Sequence, residues 1–300
     1  MKNNLVPISC ALACSFLWGT TFVAQDTGMD FIGPYTFCAV RLFLGFLGLL
    51  PFFIYFEFNE IKKINFNLKK VFFFTLILGS IFGMANILQQ VSLLYTDIAN
   101  SAVFTVLYVV IVPLISYFIF SIKIHPSIWP SVTLCFMGGL LFRESKNYAV
   151  RFGDMLVIIG AFFWAFHIIF IYKVLKIFNF PIAIATFQCL VAGIFCSFPA
   201  LAFETVTINL ISKEITELLY AGILSSGVAF MLQAYAQRVL SPASVAIIFS
   251  LEGVFASIFG WILLDQFLSE IKVFGIMIIL LAVIFSQLIP IYGKKNYGRI

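Results

Sequence analysis

Apolar runs of about 20 residues recur along the whole chain, and the polar segments between them are too short to fold alone. A helix rises about 1.5 Å per residue, so such a run crosses a hydrocarbon core about 30 Å thick with its backbone hydrogen bonds satisfied internally. Ten candidate spans result: 5–25, 34–56, 71–91, 98–120, 126–142, 153–172, 181–203, 216–236, 242–264 and 270–290. The fifth is the weakest, containing Pro126 and Pro130 and offering only IWPSVTLCFMGGLLF as a clean core. The longest connections, EFNEIKKINFNLKK and ETVTINLISKEITE, cannot form a soluble domain. The fold class is therefore an all-α integral membrane protein. Composition agrees: 62% of residues are hydrophobic and 10% charged, against about 25% charged in soluble domains. The run after MKNN is long enough to be the first span rather than a signal peptide.

The net charge of +5 does not point to nucleic acid, because Lys and Arg sit in short loops rather than in one patch. They read as a topology signal instead. With ten spans and a cytoplasmic N-terminus, twelve cations fall inside and five outside, and Arg41 lies within the second span. Both termini are then cytoplasmic, in the inner (cytoplasmic) membrane. The loop RESKNYAVR opposes this count by placing three cations outside, and a nine-span arrangement would move them inside. The six cysteines lie in apolar segments without CxxC spacing or a neighbouring His cluster, so neither a disulfide framework nor a metal site is expected. Nothing in the sequence calls for a cofactor. The expected partners are a small-molecule substrate, the lipid bilayer and a proton; a homodimer is neither indicated nor forbidden.

An internal repeat favours ten spans. SFLWGTTF (15–22) aligns with AFFWAFHI (161–168), bringing Trp18 onto Trp164. PYTFCAVR (34–41) aligns with PIAIATFQ (181–188), bringing Pro34 onto Pro181 and Arg41 onto Gln188. ANILQQVSLLYTDIANSA (85–102) aligns with AFMLQAYAQRVLSPASVA (229–246), and in the same register Tyr108 is the counterpart of Glu252. Two five-helix repeats, 1–146 and 147–300, follow. Because five is odd, the second enters the membrane from the opposite face, which makes an inverted repeat of the kind found in secondary transporters.

In the first half FLWGTTF, FCAVRLFLGF and NSAVFTVLYVVIVPL, and in the second FGDMLVIIGAFFWAF and SPASVAIIFSLEGVFASIFGWILLDQ, resemble the EamA type of the drug/metabolite transporter superfamily over essentially the whole length. The resemblance implies ten helices, inverted halves, a central cavity and transport without ATP hydrolysis. Two departures stand out. FSIKIHP carries Ile122 where the family commonly has an acid, whereas the second half has Asp265, and Gly253 replaces a common Pro after the acid of the ninth helix. Gly also loosens a helix, so a local weakness is expected there.

Polar groups inside the spans are the candidate site, because in hydrocarbon each must face a partner or a wet cavity. Trp18, Thr21 and Gln25 share one face of the first helix; Asn86, Gln89 and Gln90 lie on the third, Ser101, Thr105 and Tyr108 on the fourth, Trp164 and His167 on the sixth, and Gln233 and Gln237 on the eighth. Each also has a reading as interhelical packing glue, worth about 1 kcal/mol. Substrate binding is assigned to Trp18, Thr21, Asn86, Gln89, Gln90, Thr105, Tyr108, Trp164, His167, Gln233 and Glu252, and coupling to Glu252 and Arg41. Glu252 lies ten residues beyond Pro242, about 15 Å into the membrane, where a lipid-facing charge costs about 3 kcal/mol or more. The expected function is a secondary transporter, an exporter by the family resemblance, of a small polar or amphipathic metabolite such as an amino acid, working by alternating access with proton coupling at Glu252. The alternative is a uniporter or channel-like protein without proton coupling. No GxSG, GxGD or HExxH signature appears, so the chain is not expected to be an enzyme.

Overall fold

The computed structural model describes residues 2–64, 67–96, 98–124, 126, 128–141, 152–264 and 269–293, and their regular structure is entirely helical. The first half holds α1 (Lys2–Thr27), α2 (Pro34–Phe56), the short α3 (Phe58–Lys62), α4 (Leu68–Ser92), α5 (Ile98–Thr105), α6 (Tyr108–Phe118) and α7 (Ile128–Leu140). The second holds α8 (Phe152–Ile177), α9 (Pro181–Phe203), the short α10 (Ile208–Lys213) and α11 (Ile215–Leu219), a π-helical stretch Tyr220–Ala229, α12 (Phe230–Gln237), α13 (Pro242–Phe249), α14 (Leu251–Leu264) and α15 (Glu270–Gly293). Local chemistry sets several starts. Proline, whose missing N–H costs nothing in a first turn, opens α2, α9 and α13. The side chains of Asn67 and Ser241 cap α4 and α13 by accepting from Lys70 N and Ser244 N at 3.1 and 3.2 Å.

Among the described residues seven helical stretches are long and apolar enough to cross a membrane: Leu5–Thr27, Pro34–Phe56, Lys69–Ser92, Phe152–Ile177, Pro181–Phe203, Ile215–Gln237 and Pro242–Leu263. Tyr108–Phe118 and Ile128–Leu140 are shorter apolar helices. The outer surface carries large apolar side chains in quantity, Phe118, Phe198, Leu201 and Phe203 each being more than two-thirds exposed, as lipid contact allows and water does not. This is a multi-pass membrane protein. The loop 143–151, Asp265 and the cations after Gly293 lie outside the described residues.

Two helical stretches are broken at matched places. One divides between Thr105 and Tyr108, separating α5 from α6, and the other at Ser250, separating α13 from α14. Sequence reasoning expects the weakness at Gly253. It falls three residues earlier, because the Ser250 hydroxyl takes the Ile247 carbonyl at 2.6 Å and Gly253 N reaches Ser250 O at 3.3 Å, tightening the turn ahead of it.

Helix pairings follow a pattern of exchange. Swapping α1 with α8, α2 with α9, α4 with the π stretch and α12, α5–α6 with α13–α14, and α7 with α15 turns one observed pairing into another. The pair α1·α14 becomes α8·α6, α4·α8 becomes α12·α1, α2·π becomes α9·α4 and α6·α13 becomes α14·α5, while α2·α9 and α7·α15 map onto themselves. Towards the N-terminal end of α1 the bundle is dry: Ala11 and Cys14 pack with Val109, Val112, Ile169, Leu240 and Phe249 in one buried cluster.

Candidate functional site

A cavity lies above that dry cluster, towards the C-terminal ends of α1 and α4. Trp18, Phe22 and Gln25 of α1, Arg41 of α2, Asn86 and Gln89 of α4, Thr105 and Tyr108 of α5 and α6, and Trp164, His167 and Ile168 of α8 form much of its wall. Ser225 and Ser226 of the π stretch, Phe230 and Gln233 of α12 and Glu252 of α14 complete it. Although α9 is central in the bundle, it contributes no lining residue.

Glu252 is 5% exposed and accepts a hydrogen bond at 3.0 Å from the hydroxyl of Tyr108. These two residues occupy equivalent positions in the repeat, each just after the break in its span. The contact joins α6 to α14, so the acid sits where the first and second halves of the chain meet. Broken helices at that depth free backbone groups and widen the space between them.

Arg41 is 4% exposed; its guanidinium donates to Asn86 Oδ1 and lies 5.7 Å from the centre of the Phe37 ring. Asn86 is itself anchored, its amide donating to Phe82 O at 2.8 Å. Among the described residues neither Arg41 nor Glu252 forms an ion pair, although both line one cavity.

Aromatic rings make the remaining wall. Trp18 packs on Phe230 and Phe249 with centroids 4.8 and 4.9 Å apart, and Trp164 stacks on Phe230 at 6.0 Å and 13°. The Trp164 indole N–H donates to Gln89 Oε1 at 3.2 Å. His167 stacks on Phe82 and shares a 3.0 Å hydrogen bond between its Nε2 and Gln188 Oε1. Gln233 donates to Gln237, which donates to Ile168 O, at 2.9 and 2.7 Å. Five lining residues still carry a buried polar atom with no protein partner: Trp18 Nε1, Gln25 Oε1, Arg41 Nε, His167 Nδ1 and Gln233 Oε1. Leaving such atoms unbonded costs about 1–3 kcal/mol each, which a ligand carrying both donors and acceptors would relieve.

Trp18, Arg41, Asn86, Gln89, Thr105, Tyr108, Trp164, His167, Gln233 and Glu252 are thus brought together. Thr21 and Gln90 stand off the wall. The Thr21 hydroxyl is spent on Leu17 O at 2.5 Å, and the Gln90 amide donates to Gln25 O at 2.8 Å, tying α4 to α1. Phe22, Ile168 and Phe230 gave no signal in the sequence, being apolar residues in apolar runs. Ser225 and Ser226 could have been flagged as adjacent hydroxyls at mid-span. Among the described residues no three His, Cys, Asp or Glu side chains group as a metal would require.

The family model for the EamA-like transporter family matches residues 5–143 and again 151–288. The chain belongs to this family. An archaeal relative described as an uncharacterized transporter, from Archaeoglobus fulgidus, is 30% identical over 288 residues, covering 96% of this chain and 87% of its own length. The uncharacterized transporter YoaV of Bacillus subtilis is 25% identical over 280 residues, with 89% and 92% covered. A solved crystal structure of a protein 13% identical superposes with a TM-score of 0.76 over 94% of this chain and 98% of that one, a likeness of fold alone. As an EamA-like protein the chain is a membrane transporter, and its two family matches meet around the loop before α8.

Proposed function

We propose that this EamA-like protein is a secondary exporter of a small zwitterionic metabolite of the amino-acid class, moved by alternating access and coupled to protons at Glu252. The observation that carries the reading is a buried cation and a buried acid lining one cavity without pairing to each other. A zwitterion supplies the missing partner to each: its carboxylate to Arg41, its ammonium to Glu252, and its apolar part to Trp18, Trp164 and Phe230. Ten spans in two inverted halves, 1–146 and 147–300, are part of the same proposal, with both termini on the cytoplasmic side of the cell (inner) membrane. The exchangeable helix pairings, the matched breaks and the contact between Tyr108 and Glu252 all support that arrangement.

Purified protein in sealed liposomes, offered a panel of radiolabelled neutral amino acids with and without a pH gradient, tests it. Saturable, nucleotide-independent flux that responds to the gradient is expected. Saturable flux indifferent to the gradient would leave a uniporter, and flux of no zwitterion would overturn the substrate class. Reporter fusions after residues 148 and 300 should read external and cytoplasmic respectively, and a cytoplasmic signal at 148 sinks the ten-span arrangement.

A further inference from the structure

The best-packed seam between the halves, α2 against α9, is fastened at both ends by the same device. Pro34 begins α2 and Glu57 follows its end; Pro181 begins α9 and Glu204 follows its end, with the same spacing in each. Proline has no N–H, so the first free amides of each helix are those of the next two residues. The half-buried carboxylate of Glu204 accepts from Tyr35 N and Thr36 N at 3.0 and 2.7 Å and from the Thr36 hydroxyl at 2.6 Å. At the opposite end the buried carboxylate of Glu57 accepts from Ile182 N and Ala183 N at 3.1 and 2.7 Å. Each helix thus ends in an acid that caps the other's N-terminus, where charge-assisted bonds and the helix dipole act together.

Between the pins the seam is dry and close. Cys38, Ala39 and Leu42 of α2 meet Cys189, Ala192 and Cys196 of α9, and the cavity takes only Arg41 from α2 and nothing from α9. Parting these helices at either face would strand two backbone N–H groups and a carboxylate, whereas the helices lining the cavity can part without breaking either pin.

We infer that Glu57 and Glu204 are positioning residues that hold α2 and α9 together at both membrane faces throughout transport, so that this pair is a fixed axle and the cavity opens along the other seams. The inference rests on the alternating-access reading above and adds to it which contact does not move.

Cross-linking tests the axle without a known substrate. The rings of Tyr35 and Phe203 lie 6.2 Å apart at one end, and those of Phe53 and Phe187 lie 5.1 Å apart at the other. Cysteine pairs at both places, Tyr35→Cys with Phe203→Cys and Phe53→Cys with Phe187→Cys, can be bridged by a short bifunctional thiol reagent. A Ser225→Cys reporter in the cavity wall is then labelled with an impermeant maleimide from each side of sealed vesicles. Without bridging, labelling from both sides is expected; labelling from one side only sinks alternating access and the axle with it. After bridging, each rate should change by less than about threefold, and a greater loss from either side overturns the axle while leaving alternating access standing. If a cysteine pair fails to fold, amide exchange in Glu204→Ala and Glu204→Asp decides. Exchange at Tyr35 and Thr36 should rise about tenfold or more in Glu204→Ala and less in Glu204→Asp, and unchanged exchange removes the pin.

Discussion

Helix α2 has two sides of opposite character. Towards α9 and the π stretch it presents small residues and one thiol, and the thiols of this seam find carbonyls: Cys38 of α2 donates to Asn86 O at 3.5 Å and Cys189 of α9 to Ser226 O at 3.1 Å. Towards the cavity it presents one guanidinium that keeps an unbonded N–H. One side is complete without a ligand and the other is not. The contrast separates the part of the bundle that gives it shape from the part proposed to take a substrate, and it makes opposite forecasts for mutations a few ångströms apart.

The largest effect belongs to Glu252. Glu252→Gln should fold and yet lose proton-coupled flux by about a hundredfold or more, while Glu252→Asp keeps part of it. A well-folded Glu252→Gln protein with unchanged flux, selectivity and pH response would move Glu252 to the complete side of the comparison. Next comes the packing of α2 itself. A Cβ at Gly222 would lie 2.6 Å from Leu44 Cβ and 2.9 Å from Arg41 O, so Gly222→Val should cost about 2 kcal/mol or more and lower the melting temperature in detergent. An unchanged melting temperature would show that this side tolerates bulk. A smaller change is expected for Trp164→Phe, which keeps the ring stack but loses the bond to Gln89: affinity should fall about fivefold at an unchanged maximal rate. Equal loss of both would assign Trp164 to the moving parts instead.

The smallest effect concerns Glu57, just outside the second span. Burial raises its carboxyl above the ordinary glutamate range, against the pull of the Ala183 and Ile182 amides and of nearby Arg238. Tyr235 is the other titratable group facing it. As pH falls through that raised value the carboxylate gains a proton and becomes a weaker acceptor. Protection of the Ile182 and Ala183 amides, corrected for intrinsic exchange, should therefore decline at a pH above the ordinary glutamate range. Protection that is flat with pH would show that the pin does not depend on charge.

Much of this was legible in the sequence because hydrocarbon makes polar residues conspicuous. Trp18, Trp164, Glu252 and the glutamines stand out against apolar runs, and helical spacing groups them. Faces are harder to read. Thr21 and Gln90 have the right residue types, but a hydroxyl can return to its own helix and an amide can bond the next one, and spacing cannot tell these from a cavity wall. Phe22, Ile168 and Phe230 were invisible, since nothing in an apolar residue marks whether lipid, protein or ligand covers it. The Glu57 and Glu204 pins were present in the repeat, but they lie past the span ends where polar residues are unremarkable. Only the partner amides, far away in the chain, give them meaning.

The π-helical stretch Tyr220–Ala229 adds a different kind of control. Its wider winding spends more residues per turn than an α-helix does, so the orientation of everything after it depends on a count. Deleting a single residue there with the wider winding kept would turn α12 by somewhat less than the about 100° per residue of an α-helix, swinging Phe230 and Gln233 off the wall. The proposed wall is thus exposed to a length change of one residue that replaces no lining side chain, and a comparison of residue identities at the cavity would not register it.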